Sequence, residues 1–526
     1  MNDPTSTGKG STYDLLPYRS HSFPQSHPDH LATLAKLVGL KPQPVTACRV
    51  LELGCASGGN LIPLAHQLPG SEFIGVELSG HQAGMGRRVI ADLGLRNIDI
   101  KHLDILDIDH SFGLFDFIIA HGVYSWVPNE VQEHILHTAS FNLSAHGVAY
   151  VSYNTYPGWH VREMIRHMMR YHSNRFDRLQ TRVEQARALM DFLAEAVSGQ
   201  NSCHEMLLKQ ELDLILRSDD AYLFHEFLEE NNAPEYFHHF MDRVRQHDLQ
   251  YLAEADFHTS FTSSFPEPIR ENIEGLSQDI IESEQFMDFV RNRHFRQTLL
   301  CHGGLQLERN LGAGSLKGLK IASNAEPESE PVDCSPGALQ TFHTPGGMWT
   351  QSDAPVTKAA LHILRRAWPE AVDFDSLSDE VVHLLRRDNV QPERVDSDQN
   401  WRDHLAEDLL HCFAHKVIGF HTWEARFVTH LSQRPKACPL AAYQAHHGLP
   451  VVNQKHETVV LDDMAREVLK LMNGARSLTE IVDVLSRLAA IGAFTCDHHA
   501  PDFPGRLESA VMDSARLLAR NALLVA

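Results

Sequence analysis

The chain has 526 residues, 43% of them hydrophobic, and a formal net charge of −22 at neutral pH. Such a length predicts three or four domains with ample apolar material for their cores, and the negative balance repels phosphate backbones, which argues against a general nucleic-acid binder. No apolar run approaches the ~20 residues of a membrane span, the polar start MNDPTSTGKGSTYD lacks a signal-peptide core, and eight scattered cysteines form no CxxC pair; the expectation is a cytoplasmic protein without a disulfide framework or a cysteine zinc site.

Strand and helix signals alternate through the first 170 residues. HPDHLATLAKLVGL carries apolar residues at helical spacing and ends at the break KPQP. CRVLELG reads as a strand, NLIPLAHQL as a helix, EFIGVELS as a second strand, residues 82–93 as a helix and NIDIKHLDI as a third strand. DFIIAHG, a helix over 131–141 and GVAYVSYNTY complete the run. Strands separated by helices of that length imply βαβ units and a parallel sheet, hence an α/β class.

From about 160 to 290 the patterns turn long and helical, as in RVEQARALMDFLAEAV and PEYFHHFMDRVRQHDLQYLAEA, and predict an inserted or appended helical domain. RQTLLCH and LKGLKIAS read as strands that return to the first sheet. Residues 325–356 have the Pro, Gly, Ser and acid content of a linker. TKAALHILRRAWP, FDSLSDEVVHLLRR and WRDHLAEDLLHCFAH follow as helices, the strand-like pair FHTWEARFVTH as in a winged helix, and further helices close the chain. The boundaries that result are 1–45, 46–170 (with 292–325 completing it), 171–291, 326–355 and 356–526.

The stretch VLELGCASGGN, residues 50–60, carries the first chemistry. Its glycines, Gly54, Gly58 and Gly59, follow G-x-x-x-G-G and lack the G-x-G of a dinucleotide fingerprint, and no Gly-Lys-Ser/Thr makes a phosphate loop. Glu52 would repel a phosphate but welcome an ammonium, so the turn, with Ser57, suits S-adenosylmethionine. Glu77, with Leu78 beside it, ends the second strand where a carboxylate can accept both ribose hydroxyls. Asp104 can accept from the adenine amino group, Ile105 can line the ring, and His121 and Gly122 stand at the end of the fourth strand beside the sulfonium.

Two aromatic groups flank the expected acceptor: Tyr124 and Trp126 in HGVYSWVP, and Tyr153, Tyr156 and Trp159 in YNTYPGWH. Aromatic faces can hold a cationic amine, Asn154 can accept from an attacking nitrogen, and His121 and His160 can take protons near neutral pH. The absence of Asp/Asn-Pro-Pro-Tyr/Phe after the fourth strand weakens adenine and glutamine as acceptors. His411 and His415, four apart, would need a third ligand to bind zinc, and His498 and His499 read as loop residues, so no metal is expected.

On YDLLPYRSHSFPQSHPDHLATLA, RVLELGCASGGNLIPLA, IIAHGVYSWVP, VSYNTYPGWHVREMIRHMMRYH and HEFLEENNAPEYFHHFMDRVRQHDLQYLAEADF, the chain resembles the class I S-adenosylmethionine-dependent methyltransferases that carry a methyltransferase regulatory domain, and is similar to the rickettsial protein-lysine methyltransferases that act on an outer-membrane protein. The resemblance implies a Rossmann-like donor domain, a helical middle domain linked to homodimerisation and a winged-helix-like C-terminal part. It also implies that the segment with Tyr13 and Tyr18 helps cover the donor, and that the acceptor is a protein lysine. A small-molecule or nucleic-acid methyltransferase of the same fold, or a non-catalytic donor sensor, remains the alternative.

Overall fold

The structure is a computed structural model and describes Leu16 and residues 20–390, 400–492 and 502–526. Its centre is a seven-stranded sheet, built from β1 (Arg49–Leu53), β2 (Glu72–Glu77), β3 (Ile98–His102), β4 (Phe115–Ala120), β5 (Leu143–Asn154), β6 (Leu249–Glu254) and β7 (Phe295–His302), in the order β3-β2-β1-β4-β5-β7-β6. The first five strands run parallel; β7 pairs antiparallel with β5 and β6. Runs such as VLEL and FIGVE are apolar without strict alternation because helices cover both sheet faces. The order reverses at β1, between β2 and β4, and leaves a crevice at the carboxyl ends of these strands.

Residues 249–254 were expected within a helix and form β6 instead. The helix Phe237–Gln246 stops before Asp248, whose φ of +55° lies in the left-handed region. Leu249, Tyr251 and Ala253 then enter the sheet against β7. The helical block 171–291 therefore lends a strand to the central sheet, while Trp159–Ser173, Leu179–Ala196 and Cys203–Arg217 pack around a core of their own that includes Ile165, Met169, Val183, Met190, Leu208 and Phe227. Arg296 of β7 is fully buried and meets Asp288 (2.7 Å), Glu284 (2.9 Å) and Glu254 (3.1 Å), which clamps the helix Ile280–Arg291 onto the sheet.

LKGLKIAS does not return to the central sheet: Lys320–Ala322 pairs with Val372–Asp373 and Gly419–His421 in a separate three-stranded sheet. Nor is 326–355 a bare linker. Gln340–His343 and Trp349–Ser352 form an antiparallel hairpin across the Thr-Pro-Gly-Gly turn, Phe342 is buried, and the buried Lys358 donates to the carbonyls of Ser335 (2.7 Å) and Ala338 (2.6 Å). In FHTWEARFVTH only the first residues are a strand, because they find Lys320–Ala322 as partner before any hairpin can form. Farther along, Asp463–Leu471, Leu478–Ala490 and Phe503–Arg520 pack together, with Lys436–Ala437 paired to Leu524–Val525.

The two ends of the chain share one apolar core, which runs from Leu31 and Leu34 to Leu361, Val468 and Leu518. Asp29 locks them together, accepting from the backbone N–H of Thr422 (2.7 Å) and Trp423 (2.8 Å) while His421 Nδ1 lies 2.9 Å away. Among the described residues no helix is long and apolar enough to cross a membrane.

Candidate functional site

The glycine turn stands at the carboxyl end of β1. Gly54 (φ +69°) and Gly58 (φ +77°) occupy the left-handed region, and a Cβ would meet Val123 Cγ2 at 2.5 Å from Gly54 and Ile100 Cδ1 at 2.9 Å from Gly58. Ala56, also at positive φ, is held by its N–H donating to Glu77 Oε2 at 2.9 Å, and Glu77 Oε1 accepts from Ser79 N at 2.7 Å. Glu77, buried at the end of β2, is thereby held against the turn. Ser57 lies half-buried in the turn.

Glu52 is 4% exposed; its Oε1 accepts from Asn60 Nδ2 at 2.9 Å and its Oε2 has no partner among the described residues. Burial pushes its carboxyl up to about 8, with the nearby Glu77 charge adding and the Asn60 bond opposing. A buried carboxylate oxygen without a donor is costly, and a ligand ammonium would supply what it lacks. Asp104 caps the turn Ile105–Asp107 through Leu106 N (3.0 Å), Ile105 is buried beside it and Leu78 is exposed, so the ends of β1, β2 and β3 together fit the parts of S-adenosylmethionine.

His121, just past β4, packs tilted against Phe23 at 3.7 Å between centroids and its Nδ1 lies 2.8 Å from Tyr150 Oη. Burial drops its pKa to about 3, so it is neutral and a poor base, contrary to the proton-accepting role its residue type suggests. The segment before the first helix crosses the glycine turn: Ser20 Oγ accepts from Gly59 N at 2.7 Å and Phe23 N donates to Asn60 Oδ1 at 2.9 Å. Tyr13 and Tyr18 lie outside the described residues.

The loop after β4 is tied to the end of β5 by two serines. Gly122 N donates to Ser152 Oγ and Asn154 N to Ser125 Oγ, both at 2.8 Å. Asn154 is 3% exposed and its Nδ2 donates to Asn232 Oδ1 at 3.0 Å, which leaves Oδ1 as the acceptor. The aromatic groups do not converge as a cage. Tyr124 and Tyr153 are buried against Phe240, and Arg243 lies over the Tyr124 ring at 5.4 Å. Trp126 is half-buried with Arg166 at 5.8 Å from its ring, and Trp159, 6.1 Å from Trp126, is buried with Arg162 at 5.9 Å. Tyr156 stacks on His160 at 4.1 Å and donates to Glu163 at 3.0 Å. The ring faces expected to receive an amine are thus largely partnered by this chain's own arginines and histidine.

Residues not singled out by sequence reasoning complete the site: Phe23, Asn60, Asn232 and His456, the last with Nε2 2.7 Å from Asn60 Oδ1. Asn60 had a local signal, as the polar residue closing the glycine turn, and Phe23 lies in the segment YDLLPYRSHSFP expected to cover the donor; Asn232 and His456 come from far along the chain. His411 and His415 sit ring against ring at 4.1 Å, and among the described residues no third ligand joins them. His498 and His499 lie outside the described residues.

Three family models match: a methyltransferase domain over residues 50–147, a predicted methyltransferase regulatory domain over 219–302 and a PKMT C-terminal winged helix domain over 433–514. The winged helix therefore lies beyond the strand pair on which the sequence placed it. An uncharacterized protein of Rickettsia prowazekii (strain Madrid E) is 34% identical over 98% of this chain and 93% of its own; a second from the same organism is 38% identical over 46% of this chain and 96% of its own. The solved structure of PKMT2 from Rickettsia typhi in complex with AdoHcy superposes with a TM-score of 0.83 at 28% identity, covering 97% of this chain and all of that one.

Proposed function

The chain belongs to the S-adenosylmethionine-dependent methyltransferases that carry a methyltransferase regulatory domain, and on that footing we propose that its acceptor is the side-chain amine of protein lysine. The observation that carries the proposal is Asn154: a buried amide at the end of β5, its Nδ2 engaged by Asn232 so that Oδ1 is left to accept from an incoming N–H. The name PKMT2 of the Rickettsia typhi structure supports the same acceptor.

Bound S-adenosylmethionine supplies a methyl group on a sulfonium, transferred by in-line displacement. The chain's part is to hold and align. Glu52 would receive the ammonium, Glu77 the ribose hydroxyls and Asp104 and Ile105 the adenine, and the Gly54 and Gly58 turn would let the backbone approach. A lysine ammonium has no lone pair, so the amine must arrive neutral; Asn154 Oδ1 then aligns the nitrogen by accepting one of its hydrogens, and the proton lost goes to solvent. His121 is neutral and shapes the pocket wall between Phe23 and Tyr150. An open groove of about 720 Å³, lined by His160, Met164, Met168, Tyr171 and Leu189 together with Glu163 and His167, gives chain flanking the acceptor lysine a surface to lie on. Homodimer contacts, if formed, would use the exposed Phe192 and Met206 of the helical segment, which sedimentation of the purified protein tests.

The deciding experiment is a labelled-methyl transfer assay on cell extract, resolved by mass spectrometry. Label on protein lysine is expected; label confined to nucleic acid, to small molecules or to another side chain rejects the acceptor while leaving the donor chemistry in place.

A further inference from the structure

The turn Asn453–Glu457 joins the paired segments Val451–Val452 and Thr458–Val459 in the C-terminal domain. Asn453 Oδ1 accepts from the N–H groups of Lys455 and Glu457, each at 2.9 Å, and Lys455 Nζ rests 4.3 Å from the Trp368 ring centroid. From this braced turn His456, at φ +64° and fully buried, reaches the glycine turn of the donor domain, with Nε2 2.7 Å from Asn60 Oδ1. Gln67 Nε2 donates to Asn453 O at 3.0 Å and Ser22 Oγ lies 3.0 Å from Thr458 Oγ1, so the turn is docked on both sides of that contact.

The direction of each bond in this hub follows from chemistry. Phe23 N is only a donor, so the Asn60 atom 2.9 Å from it is the carbonyl oxygen, and the amide nitrogen faces Glu52 Oε1 at 2.9 Å and Ser26 Oγ at 3.0 Å. An oxygen that only accepts requires His456 to donate from Nε2, which sets its tautomer. Reversing the Asn60 amide would put its NH2 against the N–H groups of Phe23 and His456 and its oxygen against a carboxylate.

We propose that His456 is a positioning residue of the donor site: by fixing the Asn60 amide it holds the Glu52 carboxylate in the orientation that receives the donor's ammonium, so the C-terminal domain completes the methyl-donor site. The proposal rests on Glu52 being the ammonium partner. A domain carried by the far end of the chain thereby sets cofactor affinity as well as packing.

The test uses two ligands on the full chain: S-adenosylhomocysteine, which carries the ammonium, and 5′-methylthioadenosine, which shares the adenosine and thioether but lacks the amino-acid part. His456→Met removes the donor at similar size, and His456→Gln keeps one. We expect His456→Met to weaken S-adenosylhomocysteine about tenfold, the scale of a lost charge-assisted bond, with 5′-methylthioadenosine within about twofold, and His456→Gln to stay near the parent. Both ligands report the same folded population, so their affinity ratio is insensitive to partial unfolding. Equal weakening of the two ligands, no change in either, or equal ratios for the Met and Gln variants overturns the proposal. Glu52→Gln is the reference. If it moves the ratio while His456→Met does not, only the role of His456 has failed; if it leaves the ratio unchanged, the ammonium assignment has failed and His456 with it.

Discussion

Asn154 Nδ2 donates to Asn232 Oδ1 at 3.0 Å, which ties the end of the last parallel strand to the segment matched by the regulatory family model. Ala233 N donating to Ser125 O at 2.8 Å and Glu235 N donating to Asn154 O at 3.2 Å keep that segment in register. In this arrangement Asn232 holds the Asn154 amide with Oδ1 available to the acceptor. Asn232→Ala is expected to lower kcat about tenfold, the scale of one lost orienting bond, with S-adenosylhomocysteine affinity unchanged. Steady-state kinetics beside calorimetry checks it; a parallel loss of cofactor binding would place the effect in folding instead.

Glu52 makes donor binding and stability depend on pH in opposite senses. Its carboxyl sits near 8 in the folded protein against 4.5 for the unperturbed group, so between those values the folded state binds more protons than the unfolded one. The ligand-free protein consequently loses stability from this group as pH rises through the window. An ammonium needs the ionised form, so S-adenosylhomocysteine affinity rises with pH until about 8. Glu52→Gln should flatten the melting-temperature difference between pH 6 and 8 and weaken that ligand about 10- to 100-fold; calorimetry at the two pH values reads both the affinity and the proton release.

Tyr124 separates packing from chemistry. It is fully buried against Tyr153 and Phe240 and its Oη has no hydrogen-bond partner among the described residues, so Tyr124→Phe is expected to change kcat less than about threefold and stability by less than about 1 kcal/mol. Tyr124→Ala should lower stability by about 3 to 5 kcal/mol by opening a cavity. Chemical denaturation distinguishes the two, and a large kcat loss in the Phe variant would return the hydroxyl to the reaction.

Arg296 faces three buried carboxylates and the Phe237 ring, 3.7 Å from its centroid. Arg296→Met removes the cation shared by Asp288, Glu284 and Glu254 and leaves only the longer contacts of Arg293 to Asp288 (3.5 Å) and Glu254 (3.8 Å), and the expected loss is about 3 to 5 kcal/mol. Because the cluster joins β6 and β7 to the helix Ile280–Arg291, hydrogen exchange should rise first in these elements.

The parallel strands and their carboxylates were legible because each is written in a short window: an apolar run, then an acid, then residues that permit a turn. β6 was not, since six residues following directly on a helical pattern carry too little alternation to outweigh it, and only pairing with β7 settles them as a strand. The stretch 326–355 has loop composition, yet Lys358 gives its carbonyls a buried partner, a contact no composition can announce. For the same reason the aromatics of HGVYSWVP and YNTYPGWH could be placed at strand ends but not assigned to core or pocket.

By itself the sequence determined the α/β class, the donor chemistry and the positions of Glu52, Gly54, Gly58 and Glu77, because left-handed turns and strand ends are dictated by neighbours a few residues away. Tertiary structure alone decided which rings are buried, how Asn154 is oriented and what holds Glu52. The Asn60 to His456 bond spans 396 positions of chain, and a buried donor finds its acceptor through the fold's topology and the cost of leaving either unpaired, neither of which is encoded locally.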